Sequence, residues 1–321
     1  VDSITTGDYN VGVGDTALSA TTSGHRNSAF GYQAMVDNTT GYYNSAIGYQ
    51  SLANNTTGAE NTAVGWSSLL TNVSGGNNTA VGSVALYANT GSSNTAIGMR
   101  CMADNTTGNY NTATGAYALN ANTTGANNTA SGYQALNANT TGAENTSVGK
   151  SSMIANTTGS NNCAFGVNAL DANTTASYNT AIGHKSLSAN TTGANNTASG
   201  YQSLYSNTTG NYNTAYGYRA LATQTSGGSN TAVGRESLRF STTGSSNTAL
   251  GAQTLYFNTT GYENVAVGRY ALYTNTTGQS NVAVGYSSLY YNTTGNYNTA
   301  TGRECLFSNT TGAQNQAFGY F

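Results

Sequence analysis

Apolar and polar residues recur along this chain with a period of 17 residues, and the period is clearest between Asn122 and Ala138. Numbering that unit from 1 to 17 puts Asn-Thr-Thr-Gly at repeat positions 1–4, Asn-Thr-Ala at positions 7–9, Gly at position 11 and Leu at position 15. Position 9 is Ala in almost every copy, and position 15 is Leu except at Met35, Met102 and Met153. One tiny and one long apolar residue at constant positions indicate an interior that repeats.

The glycine at position 11 occurs nineteen times, from Gly14 to Gly319. The register slips once, in a 16-residue unit where Asn89-Thr90-Gly91 replaces Asn-Thr-Thr-Gly. Seventeen residues are too few for the helical pairs and leucine-rich units of other repeat proteins. Because the alternation over positions 7–10 is typical of a β-strand, we expect each unit to form a coil of two short strands and two turns.

Each coil is expected to turn at Asn-Thr-Thr-Gly, where Asn and Thr side chains bond the local backbone and Gly adopts a positive φ. The glycine at position 11 supplies the other bend. We therefore predict an all-β fold, a parallel β-roll or β-solenoid of about nineteen 17-residue coils, in one continuous array over residues 1–321. Because a coil holds few large apolar side chains, positions 8 and 10 are expected to pack against other subunits.

Composition supports a repeat architecture and excludes several partners. Charged residues make up 6% of the chain, proline is absent and the net charge is −2. Biased composition with a strict apolar period indicates repeats rather than disorder. Scattered cations form no patch for nucleic acid or an anionic membrane, and no apolar run approaches the ~20 residues of a membrane span. We expect neither nucleic-acid binding nor membrane insertion.

Three segments carry a resemblance to known proteins: Asn44–Gly48, Asn94–Gly98 and Asn179–Gly183, each followed four residues later by Leu or Met. These Asn-Ser/Thr-Ala-Ile-Gly segments resemble the head repeats of trimeric autotransporter adhesins and similar arrays in phage tail fibres. The resemblance covers essentially the whole chain, although the repeat is longer than is usual in that family. It implies a homotrimer of left-handed parallel β-rolls, exposed on a cell or particle surface and used for attachment.

The resemblance therefore favours a structural and adhesive surface fibre, the shaft or head of an extracellular protein that binds a surface glycan or protein receptor through variable turn residues. One alternative is a purely structural extracellular filament subunit that assembles end to end. Another is an ice-binding protein, because Thr recurs at positions 2, 3 and 8. The chain begins with Val and shows no stalk or anchor, so we expect it to be a segment of a longer fibre.

Residues that could carry catalysis or bind metal are dispersed. Acidic residues share a repeat position only at intervals of several coils, and His25 and His184 are about half the chain apart. Calcium sites of parallel rolls need stacked Asp, whereas these turns carry Asn and Thr. Cys101, Cys163 and Cys305 replace small residues in coils too far apart for a disulfide. We expect no enzymatic activity, no cofactor and no metal ion.

The Asn-Thr-Thr triplet at positions 1–3 also matches the N-glycosylation sequon, as at Asn38, Asn55, Asn105 and Asn122. The turn itself accounts for these residue types, because their side chains can bond the local backbone there. From the sequence alone, glycosylation stays open as an alternative to this structural role.

Aromatic residues are the most prominent candidates for ligand contact. Tyrosines favour positions 12 and 16, and aromatic residues, including Phe257 and Phe307, become denser toward the C-terminus. Tyr offers a large contact area at low entropic cost. The alternative is that stacked Tyr side chains shield the turns or strengthen subunit packing. The predicted ligand-contact residues are Tyr256, Tyr262, Tyr270, Tyr273, Tyr286, Tyr290, Tyr291 and Tyr297.

Overall fold

The computed structural model describes residues 5–320, which fall into two compact units that divide between Asn161 and Asn162. In each unit the chain winds into a parallel β-solenoid, and the secondary structure of residues 5–320 consists of strands and turns. The prediction of an all-β parallel solenoid is confirmed. Nineteen strands within residues 5–320 lie in successive coils, which gives about eighteen strand-to-strand turns of the chain.

Every strand covers repeat positions 8–10 and has three residues. In the described part of the first unit, β1 to β9 are Val11–Val13, Ser28–Phe30, Ser45–Ile47, Thr62–Val64, Thr79–Val81, Thr95–Ile97, Thr112–Thr114, Thr129–Ser131 and Thr146–Val148. In the described part of the second unit, β10 to β19 are Cys163–Phe165, Thr180–Ile182, Thr197–Ser199, Thr214–Tyr216, Thr231–Val233, Thr248–Leu250, Val265–Val267, Val282–Val284, Thr299–Thr301 and Gln316–Phe318.

Within each unit, consecutive strands pair in parallel with identical repeat positions opposite one another. In the first unit Ala113 of β7 is the partner of Ala130 in β8, and in the second Ala198 of β12 is the partner of Ala215 in β13. The register holds across the 16-residue unit, where Thr79 pairs with Thr95. The single deletion therefore falls in a turn and leaves the strands aligned.

Each coil contains one strand, so the prediction of two strands per coil is wrong. The rest of the coil turns too sharply for a second strand, because three non-glycine positions adopt left-handed backbone conformations. In the coil that starts at Asn122 these are Asn127, Gln134 and Leu136, with φ of 59°, 56° and 53°. The amide of Ala135 donates to the carbonyl of Gly132 at 3.2 Å, which closes a β-turn whose third residue is left-handed, as in type II.

The interior contains the predicted apolar columns and an unpredicted polar part. Ala130 at position 9 and Leu136 at position 15 are buried, as are their equivalents in most coils. Small residues at position 14, such as Ala135, are buried as well. The Asn side chains at positions 1 and 7, such as Asn122 and Asn128, are completely buried. Much of the solenoid interior is therefore filled by asparagine amides rather than by apolar side chains.

The buried amides form two hydrogen-bonded ladders. At position 7, Asn196 Nδ2 donates to the carbonyl of Gly210 in the next coil at 2.8 Å, and Asn196 Oδ1 accepts from the backbone amide of Asn213 at 2.9 Å. At position 1, Asn122 Nδ2 donates to the carbonyl of Gly125 in its own coil at 2.9 Å and to Asn105 Oδ1 at 2.6 Å. These bonds satisfy buried polar groups that would otherwise be costly.

The two glycines of the repeat have different roles. Gly132 at position 11 has φ of 135°, a conformation that residues with a side chain rarely adopt. Gly125 at position 4 lies outside the left-handed region, so the predicted positive φ there is wrong. A Cβ on Gly125 would lie 2.5 Å from Asn122 Oδ1 and 2.9 Å from Asn139 Nδ2. The carbonyl oxygen of Gly142 in the next coil would be closer still, at 2.4 Å, so position 4 needs glycine because both the neighbouring backbone and the Asn ladder occupy the space.

Candidate functional site

Four aromatic rings at position 16 form a continuous stack in the second unit. The centroids of Tyr256 and Tyr273 are 5.1 Å apart, those of Tyr273 and Tyr290 are 5.0 Å apart, and those of Tyr290 and Phe307 are 5.2 Å apart. The planes of these pairs differ by 8°, 14° and 25°. The stack follows from the fold, because parallel strands lie about 4.8 Å apart and equivalent side chains of successive coils superimpose.

A second set of rings at position 17 lies almost perpendicular to this stack. Phe257 makes angles of 89° with Tyr256 and 84° with Tyr273, and it is parallel to Phe240 with 5.6 Å between centroids. Tyr291 contacts Tyr290 in a similar edge-to-face manner at 4.8 Å. Edge-to-face contacts add to the stability of such clusters beyond their burial.

Two further tyrosines extend the cluster beside arginine side chains. Tyr270 contacts Tyr273 at 5.3 Å and Tyr286 at 6.0 Å. The guanidinium of Arg269 lies 4.4 Å from the centre of the Tyr270 ring, and that of Arg303 lies 5.5 Å from the centre of Tyr286. These are cation–π distances. The cluster therefore has an apolar centre and cations along one side.

Six of the eight predicted contact residues are brought together in this aromatic cluster: Tyr256, Tyr270, Tyr273, Tyr286, Tyr290 and Tyr291. Tyr262 and Tyr297 at positions 5 and 6 are exposed and lie outside it. The prediction missed Phe240, and it did not assign contact roles to Phe257 and Phe307, because it followed tyrosine alone. The usable signal was that positions 16 and 17 are both aromatic in the unit that ends with Tyr256 and Phe257.

Two tyrosines at the centre of the cluster have altered acidity. Burial, and after it the proximity of neighbouring tyrosines, raises the pKa of Tyr273 and of Tyr290 above the ordinary value. Deprotonation is therefore less favourable in the folded chain than in the unfolded chain. The corresponding contribution to stability is present below the ordinary tyrosine pKa of about 10 and is lost as the pH rises through the raised values.

A shallow groove of about 620 Å³ runs beside the position-17 rings in the second unit. Phe240 and Phe257 form one side, and Thr side chains from positions 17 and 2 form the remainder. The lining residues are Thr223, Phe240, Thr242, Phe257, Thr259, Thr274 and Thr276. Its volume falls within the range of about 300–1,000 Å³ that is typical of small-molecule sites.

The first unit has a smaller concave site of about 260 Å³ at Thr6, Asp8, Tyr9, His25 and Arg26. Arg26 lies 5.6 Å from the centre of the Tyr9 ring. This unit also exposes an apolar column at position 10, which includes Phe30, Ile47 and Ile97. The sequence predicted that this strand face would point outward, and the burial of β2, β3 and β6 confirms that it does.

The structure also bears on the cysteines, on metal binding and on a membrane-spanning helix. Cys101 and Cys305 are buried and Cys163 is partly buried, all three as free thiols, and burial raises the pKa of Cys101 to about 12. Among residues 5–320, no group of three or more His, Cys, Asp or Glu residues is arranged to hold a metal ion. No helix in the same range is long and apolar enough to cross a membrane.

The sequon asparagines belong to the position-1 ladder. Asn38, Asn55, Asn105 and Asn122 are completely buried, and the amide nitrogen of each donates to a glycine carbonyl in its own turn. Because the amide nitrogen is also the atom that a glycan would occupy, modification would disrupt the ladder in the folded chain. The structural role of these residues is therefore sufficient to explain the triplet.

Together, the period, the stacked register and the amide ladders define the class of this chain: it is a repeat protein with a parallel β-solenoid fold. No protein-family model matches the chain, and no curated protein matches it in sequence.

Proposed function

We propose that this chain is a structural and adhesive surface fibre, in which the solenoid is a rigid support and the aromatic cluster of the second unit contacts a surface ligand. The observation that carries the proposal is the exposed cluster itself. Phe257, Tyr286 and Tyr291 are each more than 40% exposed although they contact other rings. Exposed contiguous apolar patches on soluble proteins commonly mark interaction sites.

The scaffold is suited to this role because the residues that stabilise the fold are different from the residues that would contact a ligand. The coils are joined by backbone bonds and buried amide ladders, whereas positions 10, 12, 16 and 17 differ from coil to coil. Substitutions at these outward positions change the surface without changing the interior. A surface glycan or protein receptor is the proposed class of ligand, and an extracellular location follows from that role.

The adhesive role predicts that aromatic residues of the cluster are needed for binding but not for folding. Tyr273→Asn combined with Tyr290→Asn introduces a residue that occurs naturally at position 16, as Asn120 and Asn137. We expect retention on a panel of immobilised polysaccharides and proteins to fall at least ten-fold, because the centre of the ring stack is removed. Surface plasmon resonance measures the retention, and circular dichroism checks the fold.

The matched control is Tyr87→Asn, at position 16 of the first unit, where the side chain is exposed. Its retention should equal that of the unmodified chain. Equal retention of the double variant and the unmodified chain would contradict a binding role for the cluster. If the unmodified chain binds none of the surfaces, the result would instead favour a purely structural filament.

We further propose that the fibre is a homotrimer whose subunits pack through the apolar column at position 10. In the first unit Ile47 is 48% exposed and Ile97 is 42% exposed. In the second unit Ile182 and Leu250 occupy the same position and are also exposed. Such a column would be covered by another subunit at little cost, because Val, Ile, Leu and Phe lose unfavourable contact with water on burial.

The trimer predicts a sedimentation-equilibrium mass of about three times the chain mass of 32.8 kDa. Ile47→Thr combined with Ile97→Thr should shift the equilibrium toward single chains, because each change removes apolar contact area. Thr occurs naturally at this position as Thr114, so the fold should tolerate it. A mass equal to one chain for the unmodified protein would refute the trimer.

A further inference from the structure

We propose that the groove beside Phe240 and Phe257 binds the uncharged alkyl chain of a single-chain amphiphile. This inference goes beyond the proposed adhesive function, because it gives the groove a ligand other than the surface glycan or protein receptor proposed for the aromatic cluster. Phe240 and Phe257 are the only aromatic side chains that line the groove, and the other lining residues are threonines. The groove chemistry therefore depends on what these threonines present to a ligand.

The threonine hydroxyls already donate to backbone carbonyls. Thr242 Oγ1 donates to the carbonyl of Thr259 at 3.2 Å, and Thr259 Oγ1 donates to that of Thr276 at 3.0 Å. Thr276 and Thr274 make the same kind of bond, to Thr293 at 3.1 Å and to Tyr290 at 2.7 Å.

Thr223 completes the set, because its hydroxyl lies 2.9 Å from the carbonyl of Arg239. Each hydroxyl has only one hydrogen to donate. The groove can therefore offer a ligand methyl groups, phenyl rings and weak acceptors, but no free hydroxyl donor. A sugar would lose its hydrogen bonds to water at such a surface without equivalent replacement, whereas an alkyl chain loses only unfavourable hydration.

The charges in and beside the groove also favour an uncharged ligand. The lining residues carry no charge. Arg239, whose guanidinium lies 5.2 Å from the centre of the Phe240 ring, is paired with Glu236. Gln253 Nε2 donates to the second carboxylate oxygen of Glu236 at 3.0 Å. The lining itself therefore offers no charge to an ionic head group, and the charge of Arg239 is balanced by Glu236. The expected ligand is therefore uncharged where it contacts the groove.

The shape of the groove suits an extended chain. Thr223, Phe240, Phe257 and Thr274 occupy position 17 in four successive coils. At the strand spacing of about 4.8 Å, these coils extend over about 14 Å. Position 17 elsewhere in the second unit includes small residues such as Ala172, Ala189 and Ser206. Two adjacent Phe side chains thus form a wall that runs along the column of position-2 threonines.

The test is calorimetric titration of the full chain with dodecyl maltoside below its critical micelle concentration, with maltose as the sugar-only probe. We expect dodecyl maltoside to bind with a negative heat-capacity change, the mark of apolar burial, and maltose to give no signal. Phe257→Thr should weaken binding at least ten-fold, and Thr274→Phe should weaken it by filling the groove. Thr71→Phe, at position 17 of the first unit, should leave binding unchanged.

Folding is checked by thermal melting. Thr at position 17 is native in the next coil, as Thr274, and two coils earlier, as Thr223, which makes Phe257→Thr a mild change. Equal binding of maltose and dodecyl maltoside would overturn the proposal. Unchanged affinity of Phe257→Thr would also overturn it, as would binding to phosphatidylcholine vesicles without binding to the monomeric amphiphile.

The same variants separate this proposal from the adhesive function. If Phe257→Thr still adheres to immobilised ligands and the unmodified chain does not bind dodecyl maltoside, the alkyl-chain proposal fails and the adhesive function stands. If dodecyl maltoside binds in the groove but the unmodified chain adheres to no surface, the adhesive function fails while the alkyl-chain site is supported.

Discussion

Replacing Gly200 by alanine is expected to lower the free energy of unfolding by about 3–5 kcal/mol, because it combines backbone strain with a steric clash. Gly200 has φ of 137°. A Cβ there would lie 2.5 Å from the carbonyl oxygen and 2.7 Å from the carbonyl carbon of Gly217 in the next coil. The neighbour cannot withdraw easily, since the Gly217 amide donates to the carbonyl of Ser199 at 2.8 Å. Urea unfolding followed by circular dichroism measures the effect.

Gly319→Ala separates the cost of backbone strain from the cost of the steric clash with the next coil. Gly319 has φ of 119°, but a Cβ on it would meet nothing within 4 Å. This substitution should therefore cost only the conformational part, about 1–3 kcal/mol. If Gly200→Ala and Gly319→Ala had equal effects, stacking would not be the reason for glycine at position 11. A neutral effect of Gly200→Ala would contradict both parts of the explanation.

Asn213→Ala is expected to destabilise the chain by a similar amount, about 3–5 kcal/mol, because it leaves several buried polar groups without partners. Asn213 Nδ2 donates to the carbonyl of Gly227 at 2.9 Å. Its Oδ1 accepts from both the backbone amide and Nδ2 of Asn230, each at 3.1 Å. Thermal and urea unfolding of the variant and the unmodified chain measure the loss.

Replacing an asparagine at position 1 is expected to lower the stability less than replacing one at position 7. Asn207 Nδ2 donates to the carbonyl of Gly210 at 3.0 Å and to Asn190 Oδ1 at 2.9 Å. The Gly210 carbonyl also accepts from Asn196, and Asn207 Oδ1 is buried without a hydrogen bond. The alanine variant would thus leave Asn190 Oδ1 as the main group that loses a partner. Asn207→Ala should therefore cost clearly less than Asn213→Ala. Equal costs would show that the two ladders are equivalent and would contradict this explanation.

The position-1 ladder is interrupted where Gln224 and Ser241 replace asparagine, and Asn207 Oδ1, Gln224 Oε1 and Ser241 Oγ are buried there without partners. Asparagine can be restored at both interrupted positions in the double variant Gln224→Asn with Ser241→Asn. It should raise the free energy of unfolding by about 1–3 kcal/mol, because the repaired ladder satisfies these groups. A loss of stability would mean that the local backbone has adapted to the interruption.

The aromatic cluster was only partly predictable. Tyr256, Tyr273 and Tyr290 share repeat position 16, so the period alone brings them together. The perpendicular rings of Phe240 and Phe257 depend on how positions 16 and 17 pack beside each other, and a list of tyrosines contains no such information. The groove also depends on the direction of the threonine hydroxyls, which is decided by carbonyls one coil away.

By itself the sequence determined the period, the parallel register and the apolar interior, because a side chain that recurs every 17 residues must occupy the same place in every coil. The tertiary structure decided that the polar residue at position 7, which the sequence placed at the start of a strand, lies in the core, and that each coil has one strand. The reason is that an asparagine amide bonds the coils before and after it, as Asn196 Nδ2 does with Asn179 Oδ1 and with the carbonyl of Gly210. Those partners are adjacent only after the chain has wound into a solenoid.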